Sequence, residues 1–174
     1  MTCIAIKDGV GAADTQATAG STIYRVQKMQ RLPDGGFAAG AGMMREVYHA
    51  LQWLAGGEEG DAPKIDESTL VIVRPDKSIW LAEGGWPAFP IMDRSIAIGC
   101  GADLARQAMD DGLSPAEAVE KACKLDHFSS APVYTMSVQV VPDMPEAIPA
   151  ALYAPAEPRA AAKRTAAKKV AKKS

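Results

Sequence analysis

Apolar and polar positions run in short alternating stretches over the first forty residues. Cys3-Ile4-Ala5-Ile6-Lys7 is stopped by Asp8-Gly9, and Val10-Gly11-Ala12-Ala13 resumes before Asp14, which predicts a β-hairpin. Residues 15–31 are small and polar, with a weak alternation through Ile23, Val26 and Met29. Pro33-Asp34-Gly35-Gly36 is a turn, and Phe37 to Ala41 a further short strand. From Met43 the period changes: Met44, Val47, Tyr48, Leu51 and Leu54 share one helical face, and Gly56-Gly57 ends the run. The acidic, glycine-bearing stretch 58–66 reads as a loop. Thr69 to Val73 and Ser78 to Ala82 then form a hairpin around Arg74-Pro75-Asp76-Lys77.

In the second half, Ser95 to Gly99 is a strand that enters a helix, Ala102 to Asp111, stopped by Gly112. Ser114-Pro115-Ala116-Glu117 supplies an N-cap, a proline in the first turn and a glutamate three residues on, a capping-box start for a helix through Leu125. Val133 to Val141, between Pro132 and Pro142, is a last strand. Runs of strands followed by paired helices predict an α+β domain with layered sheets rather than alternating βαβ units. No internal repeat is visible.

Composition sharpens this picture at the far end. The 174 residues are 48% apolar, one domain's worth of core, and carry 19 basic against 21 acidic side chains. Seven of the basic residues and none of the acidic ones lie from Arg159 onward, leaving 12 basic against 21 acidic before it. Residues 142–158, punctuated by five prolines, are expected to be an extension, and residues 159–174 a disordered basic tail. No apolar run is long enough for a membrane helix and the start lacks a secretory signal, so a cytoplasmic location away from membranes is expected. Cys3, Cys100 and Cys123 are odd in number and widely spaced, which disfavours disulfides and, with only two histidines, a metal site. Each cysteine is expected to be a small buried residue. Trp53, Trp80 and Trp86 are expected in the core or at subunit contacts, His49 on the surface, and His127 beside Asp126.

Candidate chemistry begins at Thr2. Removal of Met1 would leave a hydroxyl nucleophile and a free α-amine on one residue held at the start of a strand. An α-amine with a pKa of about 7.7–8.0 suits a general base at cellular pH, and a threonine paired with its own amine is an activated nucleophile. Asp14 and Lys28 are fitting company: a lysine nearby disfavours the protonated amine, and an aspartate holds that lysine charged and in place.

Thr2-Cys3-Ile4, Ala13-Asp14-Thr15-Gln16-Ala17-Thr18, Val26-Gln27-Lys28-Met29-Gln30-Arg31-Leu32 and Ala39-Gly40-Ala41-Gly42 together resemble the N-terminal-threonine peptidases of the proteasome β-subunit family, its bacterial HslV branch above all. The resemblance spans residues 2–141 and is most specific in the first forty. It implies a four-layer αββα sandwich and a self-compartmentalising peptidase that needs no cofactor. Stacked rings of the chain, polypeptide substrates and an ATP-driven unfoldase are the implied partners. By position it makes Thr2 the nucleophile, Asp14 the first acidic residue of the site and Lys28 the lysine that tunes the amine. Gly42, or else Gly40, would supply the oxyanion N–H, and Asp126 with Ser129 would position the amine. Where the family often has serine between two glycines, this chain has Gly99-Cys100-Gly101, and a thiol is a poorer hydrogen-bond partner than a hydroxyl. A second reading, from the tail, is a scaffold of weak or no activity that binds nucleic acid by neutralising phosphates.

Overall fold

The computed structural model describes residues 2–139. The opening hairpin forms as expected: β1 (Cys3–Lys7) and β2 (Val10–Ala13) pair antiparallel. They are followed by β3 (Gln16–Ala19), β4 (Thr22–Arg25), β5 (Met29–Arg31), β6 (Phe37–Gly42) and α1 (Met44–Ala55). The chain continues through β7 (Ser68–Val73), β8 (Ile79–Glu83), β9 (Phe89–Ile91) and β10 (Ser95–Gly99). It closes with α2 (Ala102–Asp110), α3 (Pro115–Leu125) and β11 (Tyr134–Ser137).

Two antiparallel sheets result, one in the order β10-β1-β2-β11 and one in the order β5-β6-β7-β8-β9. The period of two along β1 explains how they stack. Ile4 and Ile6 point into a core shared with Phe37, Val71, Val73 and Ile79 of the other sheet. Cys3 and Ala5, one residue out of phase, face Ala105, Ala108, Ala118 and Ala122 of α2 and α3. Small side chains on that face let the helices approach the sheet closely. Likewise Leu70 and Ile72 of β7 meet Val47, Leu51 and Leu54 of α1, while Val71 and Val73 turn inward. The layers are therefore helix, sheet, sheet, helix pair, the αββα sandwich that the resemblance implies. Each fully buried aliphatic side chain contributes roughly 1.5–3 kcal/mol.

Several details differ from the sequence reading. Hairpin β3–β4 pairs only with itself and exposes Ile23 and Tyr24, so no buried face imposes a strong alternation on it. Tyr48 is exposed, and the buried stripe of α1 runs through Val47, Ala50, Leu51 and Leu54. Strand β9 contains Pro90, which the ladder tolerates because β9 is the edge of its sheet. The last strand begins at Tyr134 rather than Val133, and its expected residues 140 and 141 lie outside the described ones. The extension 142–158 and the tail 159–174 lie outside them too, as does Met1. Helix α3 keeps its predicted start: Ser114 accepts from the Glu117 N–H and Glu117 accepts from the Ser114 N–H. Trp53 and Trp86 are half-buried and packed edge to face at 5.1 Å. Among the described residues no helix is long and apolar enough to cross a membrane.

Candidate active site

Thr2 lies just ahead of β1 and is buried to 1% exposure. Its position is set by Gly99, which pairs with Cys3 across the β1–β10 ladder at a φ of 94°. A side chain there would run into the Thr2 carbonyl, so only glycine lets β10 turn over Thr2 into α2. That turn delivers Cys100. The Thr2 backbone nitrogen donates to Cys100 Sγ at 3.2 Å, and the Thr2 carbonyl accepts from the Gly101 N–H at 3.3 Å. Cys100 Sγ is also 3.2 Å from the Thr2 carbonyl oxygen and 3.2 Å from Asp126 Oδ2. A thiol carries one proton, so it donates to one of these two acceptors at a time. The expectation of a buried apolar cysteine holds for Cys3, only in part for half-buried Cys123, and not for Cys100, which is exposed and hydrogen-bonded in the turn between β10 and α2.

Asp126 and Ser129 form a turn just beyond α3. The Ser129 hydroxyl donates to Asp126 Oδ2 at 2.6 Å and the Phe128 N–H to Asp126 Oδ1 at 3.0 Å. Burial pushes the Asp126 carboxyl up, but the hydrogen bonds from Ser129, Phe128 and Cys100 outweigh it and hold the group below the usual aspartate value. His127, between them, is exposed.

Next to Thr2 in the chain, Cys3 meets a fully buried ion pair. Lys28 Nζ donates to Asp14 Oδ1 at 2.7 Å and to the Gln16 carbonyl at 2.6 Å, and both charged side chains have no exposure. Asp14 Oδ1 also accepts the Cys3 N–H at 2.8 Å, which ties the pair to the residue after Thr2. Asp14 Oδ2 accepts from Gln16 N–H at 2.9 Å and from Ser130 N–H at 3.4 Å, linking the pair to the Asp126–Ser129 turn. Burial pulls the Lys28 ammonium below the ordinary lysine value, and the hydrogen bond and charge of Asp14 restore only part of it. On the other side, the Lys28 carbonyl accepts from Gly40 N–H at 3.0 Å, so the end of β6 is anchored to the same lysine.

Six of the seven residues expected at the site, Thr2, Asp14, Lys28, Cys100, Asp126 and Ser129, are thus joined by one hydrogen-bond network. Gly42 stands at the end of β6 at a φ of 120°, where a side chain would run into the Glu67 carbonyl, and no side-chain bond ties it to that network. The Thr2 hydroxyl is buried and has no hydrogen-bond partner among the described residues. Two members escaped the sequence reading. The Gln16 carbonyl is a backbone group with no residue-type signature. The Tyr134 hydroxyl accepts from the backbone N–H groups of both Lys28 and Met29, the latter at 2.6 Å. Burial pushes that phenol up to about 12, so it stays a neutral hydroxyl.

Among the described residues no group of acidic, cysteine and histidine side chains is arranged to hold a metal ion. What the network can do is hold the Thr2 backbone nitrogen and a buried positive charge in fixed relation.

The architecture is an α+β, proteasome-subunit-like fold. Solved structures similar to this chain make the likeness specific. BPH of Thiobacillus denitrificans in complex with epoxomicin matches with a TM-score of 0.61 and 18% identity, over 81% of this chain and 99% of that one. A second structure of the same BPH matches with a TM-score of 0.56 and 17% identity, over 82% and 99%. Eukaryotic HslV from Trypanosoma brucei matches with a TM-score of 0.54 and 16% identity, over 78% and 98%. No family model matches the sequence, and no curated protein does.

Proposed function

We propose that this chain is a threonine peptidase that cleaves unfolded polypeptides, with Thr2 as nucleophile once the chain is cut before it. The observation that carries the reading is the buried Lys28–Asp14 pair bonded to the N–H of Cys3, the residue next to a threonine whose buried hydroxyl has no hydrogen-bond partner among the described residues. Burying an ion pair gains little stability over apolar packing, so its presence on the residue after the nucleophile argues for chemistry.

In this reading the freed Thr2 amine, held by Cys100 and the Asp126–Ser129 turn, takes the hydroxyl proton through a water molecule. Oγ1 attacks the scissile carbonyl, and Lys28 keeps the amine unprotonated by its charge. The backbone N–H of Gly42 steadies the oxyanion, and water then releases the acyl group. The fold supports assembly into rings of this chain, and an ATP-driven unfoldase would feed them. The basic tail is left for partners such as nucleic acid.

Intact mass before and after incubation with epoxomicin, the compound bound to the similar BPH, tests the reading. The expected result is a chain beginning at Thr2 that gains one inhibitor mass on that residue. A chain from its native host that keeps Met1 or carries an acetylated Thr2 overturns it.

A further inference from the structure

Of the three cysteines, Cys100 alone is exposed, while Cys123 is half-buried and Cys3 buried. It does not stand by itself. Its sulfur lies 3.2 Å from the Thr2 nitrogen, 3.2 Å from Asp126 Oδ2 and 3.7 Å from Ser129 Oγ. A second feature adjoins it: a Cβ placed on Gly99, the residue before Cys100, would lie 3.1 Å from the Thr2 Cβ that carries the unpartnered buried hydroxyl. An exposed cysteine and a buried threonine hydroxyl with no partner among the described residues thus share one corner of the fold.

We propose that Cys100 is a reversible thiol gate on the Thr2 site: a small soluble disulfide exchanges with it, and the mixed disulfide shuts the site until a free thiol removes it. The proposal rests on Thr2 being the nucleophile. In the exchange, Cys100 gives up its proton and its sulfur attacks one sulfur of the disulfide. The old S–S bond breaks, and the departing half takes up the proton as a thiol, so no other oxidant is needed. The new S–S bond is about 2.05 Å long, which puts the added group beside a nitrogen only 3.2 Å from Sγ. The modified sulfur has no proton left to donate to Asp126 or to the Thr2 carbonyl.

Selectivity follows from burial. Cys3 is pushed up to about 12 by burial and Cys123 to about 11, so neither offers thiolate at neutral pH, and Cys3 has no exposed surface either. A serine at position 100 would do the same hydrogen bonding without this reactivity.

The test treats the full chain with glutathione disulfide, maps the adduct by peptide mass and follows fluorogenic-peptide hydrolysis in the same samples. The expected result is one glutathione on Cys100, at least a tenfold loss of rate, and recovery with dithiothreitol. Cys123→Ser should respond as the parent does. Cys100→Ser, compared with its own untreated rate, should lose none of it. An adduct on Cys100 with the rate unchanged overturns the gate and leaves the peptidase reading standing. Modification at Cys123 or at no cysteine also overturns the gate. An untreated chain that starts at Thr2 and cleaves nothing overturns the peptidase reading and the gate with it.

Discussion

Asp14 and Lys28 meet at 2.7 Å with neither side chain exposed, in a domain whose other largest fully buried side chains are apolar. Two charges buried in this way are costly unless paired, and the proposed function turns on this pair. Lys28→Met leaves the Asp14 charge buried without its partner, and should cost about 3–5 kcal/mol along with peptide hydrolysis. The double variant Asp14→Asn, Lys28→Met should regain much of that stability and none of the activity. Thermal unfolding and a peptide assay on the three proteins separate the two roles. Activity in the double variant would show the pair to be structural.

Tyr134 gives the pH dependence. Its phenol is held at about 12 against 10 in an unfolded chain, so the stability it contributes is fully present below pH 10 and is lost as the pH rises to about 12. Absorbance titration should show one late-titrating tyrosine that disappears in Tyr134→Phe. That variant also leaves the Lys28 and Met29 N–H groups without their acceptor, at a cost of about 1–3 kcal/mol. Its hydrolysis rate should fall further than its melting temperature accounts for, since Lys28 loses its backbone anchor.

Gly40 and Gly42 are told apart by what a methyl group meets. At Gly40 it would press on the side chains of Val47 and Leu70, 2.6 and 2.9 Å away in the helix-side core. Gly40→Ala should therefore cost about 1–3 kcal/mol of stability and leave kcat within a fewfold of the parent. At Gly42 the obstacle is backbone and φ is 120°, so Gly42→Ala must move the N–H itself. It should lower kcat by at least tenfold with little change in KM, as expected for a group that acts on the transition state. The reverse pattern would overturn Gly42 as the oxyanion donor.

The hairpin at Asp8-Gly9, the capping box at Ser114 and the helix ended by Gly56-Gly57 were legible because local chemistry decides them. So was the grouping of Asp14 and Lys28 beside the start of β1, since the identities and spacing of Thr2, Asp14 and Lys28 resemble the proteasome-subunit pattern. Hairpin β3–β4 was not, because it buries no face. Nor was β9, where an edge position makes room for Pro90. The exposed setting of Cys100 and the grip of Tyr134 on Lys28 depend on residues about a hundred positions apart, and no periodicity encodes such contacts.

The most direct measurement is the rate of fluorogenic-peptide hydrolysis by the parent, Thr2→Ser and Thr2→Ala, each confirmed by mass to begin at residue 2. The account predicts cleavage by the parent, a measurable fraction of it in Thr2→Ser, which still offers hydroxyl and amine, and none in Thr2→Ala. Thr2→Ala cleaving as fast as the parent would contradict it.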